Sequence, residues 1–256
     1  GASPLAVDAD TAITGLVGVL DYFGGTWALL PDVAAPIGVS TGKTPVAVSE
    51  PAVDDITVGA FNLLRFFDEV NNANGGVTLT AAALDKRLTK TATAICDWLK
   101  APDILGVVEH LRVLGLLADR INSTCPRAPA YVPYLEQGND PGGINVGFLV
   151  SARAVAAGAS RVEVTSVVQY GKDTLFNNPN GTQALLNDRP PLVLRGVVRQ
   201  GNGASYPLTV IVNHLRSLNG IDDTSAGGSG WPTEGERVCT KRGLQAAYLA
   251  ELVDSF

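Results

Sequence analysis

Runs of apolar residues, separated by polar, glycine-rich or proline-rich segments, recur along most of the chain. The segments "ITVGAFNLLRF" at 56–66 and "ILGVVEHL" at 104–111 are almost continuously apolar, which is typical of strands buried on both faces of a sheet. Between them the pattern predicts a helix that begins after Thr80, a residue type that caps helix starts. The apolar residues at helical spacing are Leu84, Leu88, Ala92, Ile95 and Leu99. A strand–helix–strand crossover between parallel strands is therefore expected.

Four further apolar segments predict strands with no helix between them, and hence a β-meander; they are 146–151, 161–170, 191–198 and 207–215. A loop rich in Gly, Ser and Asp follows at 219–235, and an amphipathic helix is predicted from Glu234 to Phe256. Because no strand follows that helix, an apolar helix face and a sheet edge would stay unpaired. We therefore expect the natural protein to continue past Phe256.

Residues 5–48 have a different pattern, in which short apolar pieces alternate with Pro and Gly. Within them, "TGLVGVLDYFGGTWALL" predicts two strands joined at the "YFGG" turn. Pro45, Pro51 and the acidic pair Asp54-Asp55 then mark a linker. We expect a partial β-rich module with its linker over 1–53, and an α/β domain over 54–256.

Composition narrows the class of protein. With 256 residues and 46% hydrophobic residues, the chain can bury a sizeable core. Its net charge of -6 argues against nucleic-acid binding driven by a basic surface alone. It does not exclude an enzyme whose metal ion supplies local positive charge. No run of about 18 apolar residues predicts a spanning helix. The opening segment "GASPLAVDAD" has neither the basic nor the apolar region of a leader peptide, so we expect a protein that is not secreted or whose leader has been removed.

The chain has three cysteines at irregular spacing and no C-x-x-C metal pattern. Cys96 lies in the predicted amphipathic helix, and its simplest interpretation is a small core residue. Cys125 and Cys239 lie near loops or helix starts, so they could pair with each other if the protein is exported.

Polar residues stand at the ends of the predicted strands, where sites form in α/β sheets. Asn62 interrupts the first strand, Glu109 closes the second, and Asn213 and His214 close "VIV". A carboxylate at the end of an apolar strand needs a partner, and a divalent metal ion is one. His214 could serve as an acid or base because its free pKa lies near neutrality. The plainer alternatives are a carboxylate satisfied by loop groups, a core histidine bonded to backbone, and an asparagine in a turn.

Six segments occur in an order that resembles the endonuclease/exonuclease/phosphatase superfamily, with its deoxyribonuclease I-like fold, and most closely its bacterial extracellular nuclease branch. They are "AFNLLRF", "APDILGVVE", "GGINVGFLV", "RPPL", "VNHLRS" and "KRGLQAAYLAELV". The resemblance covers about 54–256, and residues 5–48 are similar to the tail of the OB-like module that often precedes the catalytic domain in that branch. It implies a four-layer α/β/β/α sandwich of two mixed sheets, here incomplete at its C-terminal end.

The resemblance also implies a site that works with Mg²⁺ or Mn²⁺. Glu109 would be the metal-binding carboxylate and Asn62 the first-strand Asn beside it, while His214, with Asn213, would contact or protonate the phosphate. The candidates for substrate contact are Tyr131 or Tyr134, between which the sequence does not decide, and Arg189 and Arg216. For Arg189 a salt-bridged loop residue is an alternative. For Arg242 and Gln245 on the last helix, solvent or inter-helix contacts are the default.

The family pattern includes an Asp-x-Asn in "GDFN" and a late Asp-His pair, and this sequence contains neither. We therefore expect the sequence as given to be inactive by itself. For the parent protein we expect a metal-dependent phosphodiester hydrolase, an extracellular or periplasmic nuclease acting on DNA or RNA. We expect no membrane association, and the sequence reveals no obligate protein partner. The alternatives are a phosphatase or lipid phosphodiesterase of the same fold, and a non-catalytic binding domain that lost the site.

Overall fold

The computed structural model describes residues 10–32, 34–40, 42–43, 45–64, 66–70, 77–109, 111–155 and 158–256, and for Phe23, Glu109, Leu111 and Arg112 it describes the backbone alone. Within these ranges the protein is mixed α/β, mostly strands, with several sheets and three α-helices. The α/β class is thereby confirmed. The chain divides into two compact units between Val46 and Ala47. The predicted division at residues 53 and 54, with an OB-like and a nuclease-type assignment, stays a prediction.

The amino-terminal unit contains the predicted hairpin. Strand β2 (Gly18–Phe23) pairs with β3 (Thr26–Pro31) in antiparallel register, and Gly24 and Gly25 form the turn with φ angles of 59° and 82°. Two-residue hairpin turns of the favoured type need positive φ at both central positions, which is why two glycines stand there. A shorter antiparallel pair joins β1 (Ile13–Thr14) to β4 (Gly38–Val39).

The larger unit begins with the predicted crossover. Strand β5 (Val58–Asn62) runs parallel to β6 (Ile104–Glu109), and helix α1 (Ala81–Thr93) lies between them in sequence, extended by a π-helical turn over Ala94–Trp98. The hydroxyl of Thr80 accepts a hydrogen bond from the Ala83 N–H at 3.2 Å and caps the helix as expected. The first sheet is completed by β7 (Tyr131–Leu135) and β8 (Asn145–Ser151), in the order β5-β6-β8-β7.

Helix α2 (Leu111–Thr124) was not anticipated; it follows β6 after a single residue. Its apolar side chains and those of α1 pack with side chains of the first sheet into one buried cluster. The cluster includes Leu84, Leu88 and Ile95, then Leu114, Leu117 and Ile121, and Leu105, Val107 and Leu149 from the sheet.

The predicted four-strand meander is wrong, because its first strand, β8, pairs with β6 and β7 in the first sheet. The second sheet contains β9 (Val162–Gln169), β12 (Leu192–Arg199) and β13 (Ser205–Val212), all antiparallel with β12 in the middle. A small hairpin of β10 (Leu175–Asn177) and β11 (Gln183–Leu185) is inserted between β9 and β12. The predicted last helix is α3, Glu234–Asp254.

Side chains of the two sheets form a second buried cluster, which includes Ile104, Phe148 and Val150 of the first sheet and Leu192, Leu194 and Val198 of the second. The two sheets approach closely at Gly106, where a Cβ atom would stand 3.2 Å from Val212 Cγ2. Only a glycine fits there without displacing Val212. The full four-layer sandwich stays a prediction.

Cys96 is a buried core residue as expected, but the disulfide differs from the pairing of Cys125 with Cys239 that the sequence allowed. Cys96 is bonded to Cys125, with their Cα atoms 5.7 Å apart, and Cys239 is free and exposed on α3. The pairing follows from helix packing, because α1 and α2 lie side by side with Cys96 near the end of one and Cys125 just after the other.

The segment predicted as a linker is bound to the larger unit over residues 47–57. The Val48 N–H donates to the Trp98 carbonyl at 2.9 Å, and the backbone N–H of Thr57 donates to Asp103 at 3.0 Å. The Asp55 carbonyl accepts from Arg161, whose side chain is 2% exposed. None of the helices among the described residues has the length and apolarity that crossing a membrane requires.

Candidate active site

Two neighbouring strands of the first sheet end at the same edge. Asn62, the last residue of β5, is in register with Val108, and Glu109, the last residue of β6, is in register with Asn145 at the start of β8. Adjacent strands lie about 4.8 Å apart. The backbones of Asn62, Glu109 and Asn145 therefore stand side by side along one edge of the sheet, as the parallel crossover predicts.

The end of β13 reaches the same edge from the second sheet. Val212 lies against Gly106, and Asn213 lines a groove of about 330 Å³ together with Ala60, Gly106 and Phe148. The chain then passes to His214. The end of β13 therefore faces β5 and β6 near their ends, two residues before Asn62 and three residues before Glu109.

The backbone at His214 is held by a buried ion pair. Arg189 Nη1 bonds Asp140 Oδ2 at 2.6 Å, and the side chains are 9% and 11% exposed. The same guanidinium donates to the carbonyls of His214 and Leu215, each at 3.4 Å. Asp140 lies in the loop that leads into Asn145. Arg189 therefore joins the loop before β8 to the chain after β13, and the structure gives it the salt-bridge contacts that were the alternative to a phosphate contact.

The His214 ring is neutral near pH 7. Burial lowers its pKa to about 4, and the positive charges of Arg189 and Arg242 act in the same direction, while Asp140 raises it. The Nδ1 atom is buried, and no group in the described part of the chain bonds it. A buried nitrogen without a partner costs free energy that a ligand or an ordered water would recover.

Helix α3 fixes the segment that follows His214. Gln245, 2% exposed, accepts the Arg216 N–H at 2.6 Å and donates to the Leu186 carbonyl at 2.8 Å. Arg242 donates to the Arg216 carbonyl. Arg242 and Gln245 lie one turn apart, so they meet the same segment. The Arg216 guanidinium reaches Glu234 at 3.8 Å, and its Nε is buried without a partner among the described residues.

Sequence reasoning missed the polar loops that surround this edge. Asn145 accepts the Gly138 N–H at 2.7 Å and donates to the Gly143 carbonyl at 2.8 Å. Lys241 of α3 is 8% exposed and bonds Asp188 at 2.8 Å. The sequence did offer Asp188 as a candidate, because it stands next to Arg189 in "DRPPL". Its partner Lys241 lies on a helix some fifty residues later, and no spacing rule could have identified it.

The two tyrosine candidates occupy different positions in the first sheet. Tyr131 is 2% exposed, donates its hydroxyl to the Pro102 carbonyl at 2.6 Å, and has a raised pKa because it is buried. It pairs with Ser151, at the end of the first sheet opposite Glu109, so the structure does not bring it to the candidate site. Tyr134 packs against the cluster between the two sheets, in register with Phe148.

The first-strand Asn is fixed by a turn. The Asn62 side-chain oxygen accepts the Leu64 N–H at 3.0 Å, and Leu64 has a φ of 48°, an uncommon angle for a residue with a Cβ. The Glu109 side chain and the whole of His110 lie outside the described residues. No cluster of three or more His, Cys, Asp or Glu side chains suited to a metal ion occurs among those that are described.

One carboxylate and one amide still fit a magnesium-type ion, which takes one or two protein carboxylates and fills its other positions with water and phosphate oxygens. Neither a comparison with protein-family models nor one with curated proteins found a match to this chain.

Proposed function

We propose that this protein is a divalent-metal-dependent phosphodiester hydrolase, a nuclease that acts on DNA or RNA at the edge where β5, β6 and β13 end. The environment of the His214 side chain is the observation that supports the proposal. Its ring is neutral, and its Nδ1 lacks a partner among the described residues. Its carbonyl accepts a hydrogen bond from Arg189, and Gln245 holds the Arg216 N–H two residues later. Such a preorganised polar group is what stabilisation of a charged transition state requires.

Glu109 and Asn62 would hold Mg²⁺ or Mn²⁺. When bound, the ion would polarise the phosphoryl oxygens and offset their negative charge. Glu109 ends a buried strand, so its backbone position is fixed by pairing with Asn145. The turn at Leu64 restricts Asn62 in the same way. Because the ion would supply positive charge at this edge, the acidic net charge of the chain would not oppose binding of a negatively charged substrate there.

His214 would bond a phosphoryl oxygen through its ring. A neutral imidazole has one N–H that can donate a hydrogen bond to a phosphoryl oxygen. A phosphate anion beside it would raise the His214 pKa and so increase the fraction of imidazolium, the form that would give a proton to the leaving oxygen and return to neutral imidazole. Asn213 would add an amide donor from the same strand end. Arg216, whose Nε has no described partner, is the nearest further donor along the chain. No residue is assigned as the base that activates water.

The contacts of both sheets support the four-layer arrangement as part of this proposal. Helices α1 and α2 share a cluster with the first sheet, and the second cluster joins both sheets. On the remaining side, Arg195 of β12 lies over the Phe256 ring, with its guanidinium carbon 4.7 Å from the ring centre.

Export from the cytoplasm is also part of the proposal. The Cys96–Cys125 disulfide supports it, because such bonds persist mainly in oxidising compartments.

A substrate panel with the full-length protein that contains this sequence tests the function. We expect hydrolysis of plasmid DNA or RNA with Mg²⁺, a rate at least 100-fold lower in His214→Ala, and an unchanged rate in Arg199→Gln at the far end of β12. Hydrolysis confined to phosphomonoesters or lipid phosphodiesters would replace the nuclease by its enzymatic alternatives. No hydrolysis of any of these substrates by folded protein would favour a binding domain.

A further inference from the structure

A small polar cavity lies at the end of the first sheet opposite the candidate active site. It is next to Thr57 before β5, Asp103 before β6 and Ser151 at the end of β8. Its volume is about 50 Å³. This is room for about three or four water oxygens, or the four oxygens of one tetrahedral oxyanion. The cationic residues that line it are Lys100, Arg127 and Arg153.

Two of these cations already meet on one anionic oxygen. Lys100 Nζ and Arg127 Nη2 both bond Glu50 Oε1, at 2.9 Å and 2.7 Å. Arg127 and then Lys100 lower the pKa of Glu50, so it stays ionised. Its side chain is 62% exposed and lies on a segment without regular secondary structure. The Glu50 oxygen therefore marks the point where an incoming oxyanion would find both cations.

The third cation has a weaker partner. Arg153 is 47% exposed, and its ion pair with Asp103 Oδ1 measures 3.9 Å, too long for a hydrogen bond. Asp103 is already bound by two nitrogens of Arg161. Once the Asp103–Arg161 pair is set aside, three cations that line the cavity are left with two carboxylates: Asp55, which lines the cavity, and Glu50, which bonds Lys100 and Arg127. An added anion would balance the charge of these described groups.

The segments that present Lys100 and Arg127 are held rigidly. Lys100 lies four residues after Cys96, and Arg127 lies two residues after Cys125. The disulfide between these cysteines therefore holds the two segments together. Four residues beside the cavity have the left-handed backbone that side chains disfavour, a feature that concentrates at ligand clamps. They are Lys100 (φ 60°), Ala101 (φ 49°), Ala128 (φ 45°) and Ala130 (φ 50°).

We propose that this cavity is a binding site for a tetrahedral oxyanion of the phosphate class, held by Lys100, Arg127 and Arg153. The arginine fork matches the spacing of phosphate oxygens, and two arginines with one lysine supply both direction and charge. The Glu50 carboxylate competes with the anion for two of the cations. The anion is either free phosphate or a terminal phosphate of nucleic acid.

The test is a titration of the protein with sodium phosphate, against sodium chloride at equal ionic strength and without divalent ions, followed by the rise in Tm. We expect saturable stabilisation with a millimolar Kd, and a rise of about 3 °C at ten times Kd. Arg153→Gln should raise Kd at least tenfold. Glu50→Gln should lower it about fivefold, because a competing negative charge is removed.

A control for Arg153→Gln is Arg199→Gln, which removes a partly exposed arginine away from the cavity, paired with an exposed Glu163; the side chains of Arg153 and Arg199 are 47% and 32% exposed. The Kd of Arg199→Gln should equal that of wild type. A short oligonucleotide with and without a 5′-phosphate separates the two sources, since preference for the phosphorylated form points to nucleic acid. No saturable effect in wild type would overturn the proposal. So would binding that His214→Ala abolishes and Arg153→Gln leaves unchanged.

Discussion

The buried pair of Asp103 and Arg161 offers the most quantitative test of how the larger unit is held together. Arg161 Nε and Nη2 bond the two carboxylate oxygens at 2.8 Å and 2.9 Å, and the side chains are 2% and 4% exposed. Asp103 also accepts the N–H and hydroxyl of Thr57, and Arg161 donates to the Arg199 carbonyl. The pair thereby joins the start of β6 to the segment before β5 and to the end of β12.

Removing Asp103 leaves the Arg161 charge buried without a carboxylate, and removing Arg161 leaves the Asp103 charge buried with only the 3.9 Å pair to Arg153; either loss costs about 3–5 kcal/mol. We expect Arg161→Met and Asp103→Leu each to lower the free energy of unfolding by that amount. The double variant buries no charge and should lose only about 1–3 kcal/mol, for the hydrogen bonds to Thr57 and the Arg199 carbonyl. Urea unfolding followed by tryptophan fluorescence measures all three.

The exposed pair of Arg199 and Glu163 is the control, with side chains 32% and 54% exposed. Arg199→Gln should cost at most about 0.5 kcal/mol. The reasoning is refuted if either buried single variant loses less than 1 kcal/mol, or if the double variant loses the sum of the two single losses.

Three further predictions concern the core and the candidate site. Because the folded-state pKa of His214 is about 4, below the ordinary 6.5, the unfolded chain takes up the proton first and stability falls as the pH drops from about 6.5 towards 4. Allowing for solvent screening, the free energy of unfolding of wild type should fall by about 1–2 kcal/mol more than that of His214→Gln between pH 7 and pH 4.5. An equal fall in the two proteins, measured by urea unfolding, would contradict this. Replacing Cys96 and Cys125 by Ser opens a loop with a sequence separation of 29 and should lower stability by about 3–4 kcal/mol; a change in Tm below 2 °C would speak against it. Gly106→Val should cost about 1–3 kcal/mol in urea, because its Cβ would stand 3.2 Å from Val212 Cγ2, and an unchanged midpoint would show that the sheets are not packed this closely.

The pattern of hydrophobic residues predicted those strands and helices in which one periodicity continues from end to end. The crossover of β5, α1 and β6 follows from two apolar runs around a helical repeat, and Thr80 caps the helix as its residue type suggests. Helix α2 was missed because β6 and the start of α2 lie in one largely apolar stretch, "ILGVVEHLRVLGLLA", with no Gly, Pro or turn segment to separate strand from helix after Glu109. Strand β7 was missed for another reason: it contains Pro133, which a strand tolerates only at a sheet edge, and β7 is such an edge.

Some residues of the candidate site could be predicted from the sequence, and others could not. Strand ends could be predicted, so Asn62, Glu109 and His214 were singled out from the sequence. The groups that fix the segment at His214 could not be predicted, because tertiary packing brings them there. Asp140, 74 residues before His214, acts through Arg189, and Gln245, 31 residues after it, bonds the Arg216 N–H. The disulfide was mispaired since the choice of partner depends on how α1 and α2 lie together.

Metal-dependent cleavage is the most direct test of the proposed function. The measurement is plasmid nicking by the full-length protein that contains this sequence, with Mg²⁺, with EDTA, and with Glu109→Ala in Mg²⁺. We expect nicking that EDTA abolishes and that Glu109→Ala reduces at least 100-fold, because Glu109 would be the carboxylate that holds the ion. Nicking at an unchanged rate in Glu109→Ala, with the variant folded, would contradict a metal site at this edge.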